Sequence, residues 1–311
     1  MKKDQRPGPL PAAGAIRVRP LPHESTASYL NRLASSYQLG ARQLLEGIGI
    51  TVRGQPDRMP GAGEIALSPA ALQHLAAFTG IPHQHLPQDG LLLHKMYADP
   101  GTAQLATARW PGLEHARQPT RTCPQCTLRH THGKNSQAWA FHPEYQLLCP
   151  RHHQWSTPRQ DHQILNTGAL PELTAAHRAH QRLRRRPNAI VAYVWASGIT
   201  TGWYDHQQHL DQRWHVRLTH LARTNPPPTD GRSWALTGRD AVTYPETVAL
   251  ARCLAFIWLP YSPDRGTRQQ TNQAFLNQIA HHLGLDHIAP APGDLLWSWI
   301  HAHTRNRPGL G

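Results

Sequence analysis

The sequence Cys123-Pro-Gln-Cys126 returns in altered form as Cys149-Pro-Arg-His152, and this pair of motifs says most about the fold of the 311-residue chain. Two thiolates separated by two residues on a tight turn can bind one side of a tetrahedral ion, and a second such pair completes the ligands. The pattern predicts a zinc ribbon of short β-hairpin knuckles over residues 117–160. Its predicted Zn2+ ligands are Cys123, Cys126, Cys149 and His152.

The sequence leaves the fourth ligand open. His153 could replace His152, and His130 or His132 could compete for the ion. A redox role for the first cysteine pair is the alternative use, but no thioredoxin-like strand and helix surround it. Four protein ligands leave no position for an activated water, which favours a structural ion over a catalytic one.

The rest of the sequence offers no catalytic motif. No Ser/His/Asp order, phosphate-binding glycine loop or paired acidic motif stands out, and the 19 acidic residues are spread thinly. Cys253 lies in the apolar stretch Leu250–Ile257, which predicts a buried thiol rather than a nucleophile. We therefore predict no catalytic residues and a protein that is not an enzyme.

The net charge is +13, from 32 lysines and arginines against 19 acidic residues. Residues 117–190 hold eleven basic and three acidic residues and so carry +8 of this excess. A positive surface of this kind suits an anionic partner, and DNA is the partner that we expect. Neither a bilayer-spanning run nor a secretory signal is recognisable, so we expect a cytoplasmic protein without a membrane partner.

A helical domain is predicted over residues 16–116, after a flexible leader at residues 1–15. Apolar side chains recur at helical spacing in its first segment, with Ser25 or Glu24 available as the N-cap. Gly40 lies just past the end of this helix.

Two further helices follow in this domain. The first is predicted at Ala41–Glu46, and a loop rich in glycine and proline occupies Gly47–Gly63. Ser68 and Pro69 then predict the N-cap and first residue of a helix that ends at Gly80.

The stretches Leu33–Leu39 and Leu75–Ile81 repeat one pattern, and Ile279–Leu285 is a weaker third copy. A leucine, an alanine and a turn residue at these positions are typical of a helix-turn-helix. Any helix that ends in a glycine cap gives the same pattern, so ordinary helical packing is the alternative. We expect a helical unit with helix-turn-helix character.

The second helix of the first repeat offers Arg42 and Gln43 as DNA-contacting side chains. A specific reader normally needs three or four donors on one element, so a DNA-facing scaffold is the better expectation. We expect Leu45, Ile48 and Ile50 to be exposed.

An amphipathic basic helix is predicted at Pro171–Arg186. It is either an ordinary solvated helix or one that contacts DNA phosphates, and the local charge favours contact. Its candidate DNA-binding residues are Arg178, Arg182, Arg185 and Arg186.

The predicted fold class is mainly α, with a helical N-terminal domain, the small zinc ribbon and a helical C-terminal domain. Residues 161–224 are read as the basic helix and a mixed segment, with a strand-like stretch at Ala189–Val194. Residues 225–311 are predicted to form a helical C-terminal domain, which opens with a loop at Asn225–Gly231. The helices expected there are Thr247–Trp258 and Gln269–Leu283.

Together these features resemble the TniQ family of transposition accessory proteins. The order of the opening string and the two cysteine motifs is specific, whereas each alone would not be. The likeness covers residues 17–156, roughly half of the chain. The stretches that carry it are Arg19–Ala34 (RPLPHESTASYLNRLA), Arg121–Leu128, a hairpin at Trp139–Leu148, and Cys149–His152.

The resemblance implies helix-turn-helix character, a zinc ribbon and DNA binding. It also implies an accessory role that links target DNA, or a targeting complex, to an AAA+ transposition ATPase of the TnsC or TniB type. The transposase and a second copy of the chain are further candidate partners. The resemblance also implies that this end of the chain contacts the ATPase or a second copy, and exposed side chains at Leu45, Ile48 and Ile50 would suit that contact.

Two other functions fit the same residues. One is a DNA-binding transcriptional regulator without a role in transposition, and the other is an adaptor that binds only proteins. Adjacent genes for an integrase and an ATPase would favour transposition, whereas an isolated gene would favour regulation.

Overall fold

The computed structural model describes residues 9–54, 64–87, 104–110, 119–142, 147–156, 163–228, 231–256, 265–289 and 293–305. The chain divides into two compact units. The N-terminal unit is Met1–Pro143 with Ser156–Ile164, and the C-terminal unit is Glu144–Trp155 with Leu165–Gly311. The fold is mainly α, as predicted.

The N-terminal unit is built on short helices. Its described elements are α1 (Thr26–Ser36), α2 (Ala41–Gly47), β1 (Thr51–Arg53), β2 (Ala66–Leu67), α3 (Pro69–Thr79), a 3₁₀ turn (His83–His85), β3 (Thr107–Arg109), β4 (Thr120–Arg121), α4 (Pro124–His130) and β5 (Trp139–Ala140). Strand β3 lies between β1, with which it runs parallel, and β2, with which it runs antiparallel. Strands β4 and β5 pair antiparallel.

The helix ends of this unit follow the predicted capping residues. The Ser25 side chain accepts a hydrogen bond from the Ser28 backbone N–H, and Ser68 does the same for Ala71. Pro69 occupies the first helical position, and Gly80 ends α3 with φ of 66°, where a side chain would be strained. These predictions are confirmed.

Helices α1 and α2 form the first predicted helix-turn-helix pair. The second copy is different, because α3 is followed only by the 3₁₀ turn His83–His85. The third copy is the end of a single helix, at Leu283, followed by Gly284 with φ of 64°. The second and third repeats are therefore ordinary helices that end in a glycine cap, which was the alternative to a helix-turn-helix.

The expectation that Leu45, Ile48 and Ile50 are exposed is wrong. Leu45 is 0% exposed, Ile48 6% and Ile50 1%, and all three belong to the core of the N-terminal unit. Helix α2 has only seven residues, so it depends on packing its apolar side chains against α1. These residues stabilise the unit and are not a docking surface.

The C-terminal unit begins with a small sheet in which β6 (Leu148–Cys149), β7 (Gln154–Ser156) and β8 (Ile164–Asn166) lie in that order. Helices α5 and α6 both pack against the long helix α8. The buried rings of Trp155, Trp203, Trp214 and Tyr244 lie in this core. The helices are α5 (Pro171–Leu183), α6 (Ala189–Asp205), α7 (Asp211–Thr224), α8 (Arg232–Phe256), α9 (Arg265–Leu283) and α10 (Leu295–Arg305).

Two predictions about this unit are wrong. The strand-like stretch Ala189–Val194 is the start of α6, because Ala192, Ala196, Ile199 and Trp203 bury one face at helical spacing. The helix predicted at Thr247–Trp258 is the latter part of α8, which begins at Arg232 and continues through Pro245.

A proline inside a helix removes a hydrogen bond and normally costs about 3 kcal/mol. Helix α8 continues because residues on both sides of Pro245 are buried in the same core, for example Val242 and Val248. The basic helix is also shorter than predicted, since α5 ends at Leu183 rather than Arg186. Among the described residues, every helix is too short or too polar to cross a membrane.

Candidate metal centre

The first cysteine motif lies where a strand gives way to a helix. Cys123 is the N-cap residue of α4, Pro124 takes the first helical position, and Cys126 follows in the first turn. The Thr127 hydroxyl donates to the Cys123 carbonyl at 3.1 Å and lies 2.7 Å from the Thr122 hydroxyl. This turn brings the first pair of ligands together without a hairpin.

The second motif occupies the turn of a β-hairpin, as predicted. Leu148 pairs with Trp155 and Cys149 pairs with Gln154, so Pro150–His153 forms the connection between β6 and β7. His153 takes a φ of 50°, in the left-handed region. The predicted hairpin at Trp139–Leu148 is not seen in the described residues, since the strands at its two ends pair with other strands and residues 143–146 lie outside them.

The structure brings Cys123, Cys126, Cys149 and His152 together. One ligand atom from each residue lies within 4.8 Å of the other three, and all four residues are half-buried. Cys149 Sγ and His152 Nδ1 are 3.7 Å apart. Two sulfurs on one tetrahedral Zn2+ lie about 3.8 Å apart, given Zn–S bonds of about 2.3 Å. The donor set and its spacing therefore fit one metal ion.

The other candidate histidines are placed differently. His153 points its Nδ1 to within 3.4 Å of the Thr174 hydroxyl, while its carbonyl accepts hydrogen bonds from the Thr167 N–H and hydroxyl. His130 and His132 are exposed and outside the four-residue cluster. His152 is the histidine that joins the three cysteines.

The opening string supports the strand next to the first cysteine motif. The Trp139 N–H of β5 donates to the Ser28 hydroxyl at 3.0 Å, and the Ser25 N–H donates to the Trp139 carbonyl at 2.9 Å. Strand β5 in turn pairs with β4, which leads into Cys123. Helix α1 and the strand pair before Cys123 therefore form one hydrogen-bonded structure.

A buried ion pair lies within the same string. Glu24 and Arg32 are 4% and 5% exposed, and Arg32 Nε donates to Glu24 Oε1 at 2.7 Å. Glu24 also accepts from the Ser28 hydroxyl and from the Leu21 N–H. Because both charges have several partners, their burial is compensated.

A second buried acid, Glu64, was not singled out from the sequence. Its carboxylate accepts from the Thr26, Ala27 and Ile65 N–H groups at 3.1, 2.7 and 2.7 Å. A carboxylate at the start of α1 satisfies free N–H groups and complements the helix dipole. No local pattern reveals this role, since Glu64 is far from α1 in the sequence.

Residues 15–154 match the model of the TniQ family. This part of the chain carries a TniQ domain. The TniQ match covers the opening string, α1–α4 and both cysteine motifs, and a transposition-associated accessory role follows from the family. No curated protein and no solved structure matches the chain.

The DNA-binding residues predicted for this TniQ protein fall into two groups. Arg42 donates to the Gly54 carbonyl and lies 3.5 Å from Glu46, while Gln43 accepts from the Gly40 N–H at the start of α2. Both side chains are thus engaged within the N-terminal unit. The second group is exposed on α5 and in the turn after it, at Arg178, Arg182, Arg185 and Arg186.

A cluster of aromatic and imidazole rings lies behind α5 in the C-terminal unit. His180 Nδ1 and the Tyr244 hydroxyl are 3.0 Å apart, and the His180 ring stacks on Tyr193 with centroids 4.2 Å apart. Burial lowers the pKa of His180 to about 4, with a further contribution from His177. Burial also lowers the pKa of His177, against the opposing effect of Cys149. Both imidazoles are therefore neutral at pH 7.

Proposed function

We propose that this chain is a zinc-containing, DNA-binding accessory protein of a transposition system. It would link target DNA, or a targeting complex, to an AAA+ transposition ATPase of the TnsC or TniB type. The observation that supports this most is the TniQ match over residues 15–154, which contains the whole Cys3His cluster. An accessory role, rather than catalysis, fits a metal with four protein ligands.

Zn2+ is the ion that suits the cluster best. Thiolates select soft or borderline ions, and three cysteines with one histidine form a common structural zinc site. When bound, the ion supplies folding energy, because it joins the turn at Cys123–Cys126 to the hairpin turn at Cys149–His152. A filled shell leaves it no role in activating water.

The DNA surface that we propose is the exposed basic side of α5 and the following turn. Arg178 and Arg182 are four residues apart and thus share one face of the helix. Arg185 and Arg186 extend this surface beyond Leu183. Guanidinium groups form paired hydrogen bonds with phosphates, which position a protein on DNA without reading sequence.

Arg42 and Gln43 contribute less to this proposal. Their contacts to Gly54, Glu46 and Gly40 would have to break before either side chain could reach a base. We therefore assign α2 a scaffold role, and expect target choice to come from the partner.

The test is a salt titration of duplex binding with the zinc-loaded protein, with and without an AAA+ transposition ATPase of the TnsC or TniB type. Each phosphate contact adds about 0.9 to the slope of log K against log salt. Replacing Arg178, Arg182, Arg185 and Arg186 by alanine should flatten that slope by up to about 3.6 on this rule. ATP-dependent recruitment of the ATPase to DNA should require the protein.

The two measurements separate the alternatives. DNA binding without recruitment of the ATPase would favour the transcriptional regulator. Recruitment of the ATPase by a protein that shows no duplex binding of its own would favour an adaptor that binds only proteins. An unchanged salt slope in the arginine variant would assign the phosphate contacts to other residues. Sedimentation of the same samples would show whether a second copy of the chain joins the complex, and a parallel set with added transposase would show whether the transposase does.

A further inference from the structure

Helix α6 has an unusual composition for a helix with one side in water. From Ala189 to Tyr204 it contains no charged residue. One face is buried, with Ala192, Ala196 and Ile199 in the core of the C-terminal unit. A helix that is apolar on all sides is normally buried on all sides.

The opposite face of α6 is open to solvent. Ile190 is 65% exposed, Val191 56% and Val194 60%. These three side chains share one face, which we call the α6 stripe. Single exposed aliphatic residues are ordinary, but a contiguous group on one face indicates a binding surface.

Small residues and one further apolar side chain, Leu295, extend the stripe. Beyond Val194 it continues with the small residues Ser197 and Gly198. A Cβ atom at Gly198 would lie 3.5 Å from Leu295 Cδ1, and Leu295 is itself 42% exposed. At Gly202, a Cβ atom would meet nothing within 4 Å. An elongated apolar surface with small residues suits a helix laid along it.

Positive charge lies at the start of the stripe. Arg182 and Arg185 are exposed in the residues just before α6, which begins at Ala189. No acidic residue lies between Glu172 and Asp205. Within α6 and the residues that lead into it, a partner therefore meets arginines at one end and no acidic side chain before Asp205.

We propose that the α6 stripe docks an amphipathic helix of a partner protein, with aspartates or glutamates beside its apolar face. Its apolar side chains would cover Ile190, Val191 and Val194, and its carboxylates would face Arg182 and Arg185. DNA is the poorer occupant, because phosphates gain nothing from three aliphatic side chains. The two proposals share Arg182 and Arg185, so DNA and the acidic helix would compete for these side chains, whereas the apolar contacts of the stripe do not depend on the proposed role in transposition.

Two labelled peptides of about 18 residues, or five helical turns, test the proposal by fluorescence anisotropy. Both have leucines at helical spacing; one has glutamates at the flanking positions and the other has lysines. The glutamate peptide should bind the zinc-loaded full chain, and the lysine peptide should bind at least about tenfold more weakly. Raising the salt concentration should weaken binding of the glutamate peptide but not binding of the lysine peptide.

Variants locate the site. Replacing Ile190, Val191 and Val194 by serine should lower the affinity for the glutamate peptide about tenfold or more. The matched control is Val216→Ser, since Val216 is 50% exposed on α7 of the same unit and should leave binding unchanged. Val194→Asp alone is the second variant if the triple serine protein does not fold, and it should have the same effect.

Equal binding of the two peptides, or full binding of the glutamate peptide by both stripe variants, would overturn the proposal. So would a concentration-dependent dimer that only the stripe variants lose, because the occupant would then be a second copy. A loss of duplex affinity in these variants would assign the stripe to DNA. Unchanged duplex affinity with loss of the peptide supports the inference, whatever the fate of the transposition proposal.

Discussion

The start of α1 and the helical core of the C-terminal unit show two kinds of contact. Each unit contains both kinds, since an apolar cluster fills the N-terminal unit and Glu246 is buried against Arg217 and Trp214 in the C-terminal one. In the N-terminal unit, buried charges and hydroxyls such as Glu24, Arg32, Ser28 and Glu64 each bind named partners. In the C-terminal unit, large apolar side chains fill the core between six helices. A polar contact needs one residue type at one position, whereas an apolar core tolerates exchange of side chains of similar volume. Specific polar contacts of this kind are concentrated in the opening string Arg19–Ala34.

Removing a metal ligand should give the largest effect. Cys126→Ser should lose the bound zinc and unfold both cysteine turns, because the ion supplies on the order of 10 kcal/mol in small zinc modules. Metal analysis and hydrogen exchange of freshly purified protein measure this. Cys253→Ala is the control, since that buried thiol lies outside the cluster and should keep the full zinc content. Zinc retained by Cys126→Ser would exclude the assigned ligands.

Breaking the buried ion pair should come next. Arg32→Met leaves the Glu24 carboxylate buried without its cation, which typically costs about 3–5 kcal/mol. Hydrogen exchange should show the loss in α1 and β5, with little change in the C-terminal core. Arg42→Met is the matched control, because its exposed pair with Glu46 should contribute less than about 1 kcal/mol. Equal losses in both variants would contradict the contrast between the units.

Acid should act on the C-terminal unit through His180. Its pKa falls from 6.5 to about 4 on folding, so below pH 6.5 the unfolded chain takes up a proton that the folded chain does not. The contribution of His180 to the free energy of unfolding is constant above pH 6.5. As the pH falls below 6.5, protonation of the unfolded chain lowers the free energy of unfolding, by up to about 3 kcal/mol near pH 4.

Urea unfolding of the wild type and of His180→Gln, from pH 7.5 to 4, measures this contribution. Acid also displaces metal from thiolates, so the quantity to compare is the difference between the two proteins at each pH. The difference in the free energy of unfolding between the two proteins should be constant above pH 6.5 and should change only below it. A constant difference across the range would mean that His180 titrates normally when folded.

The smallest expected effect is at the start of α2. Gln43→Ala removes the side chain that accepts the Gly40 N–H and should lower the free energy of unfolding by about 0.5–1 kcal/mol. Combined with Arg42→Ala, it should leave the DNA sequence preference almost unchanged. A footprint that moves to other sequences would show that α2 reads bases and would favour the regulator.

The same contrast sets what the sequence could predict. Ser25, Ser68 and Gly80 were predicted correctly because caps are local contacts with few suitable residue types. Ala189–Val194 was misread because its β-branched residues favour strands until packing against α8 decides otherwise. The helix predicted at Thr247–Trp258 begins earlier, at Arg232, because burial on both sides of Pro245 keeps the helix continuous. Burial of Leu45 and the role of Glu64 depend on residues far along the chain, which no local pattern shows.

The hydrogen bonds between Trp139 and the start of α1 determine when the N-terminal unit can finish folding during translation. The Ser28 hydroxyl accepts a hydrogen bond from the Trp139 N–H, which lies 111 residues later in the chain. At about 5–20 residues per second, translation delivers it roughly 6–22 s after Ser28 is made. Until then α1 lacks its partner strand, so the N-terminal unit completes its structure only after Trp139 leaves the ribosome. A nascent chain stalled before that point should therefore remain sensitive to protease.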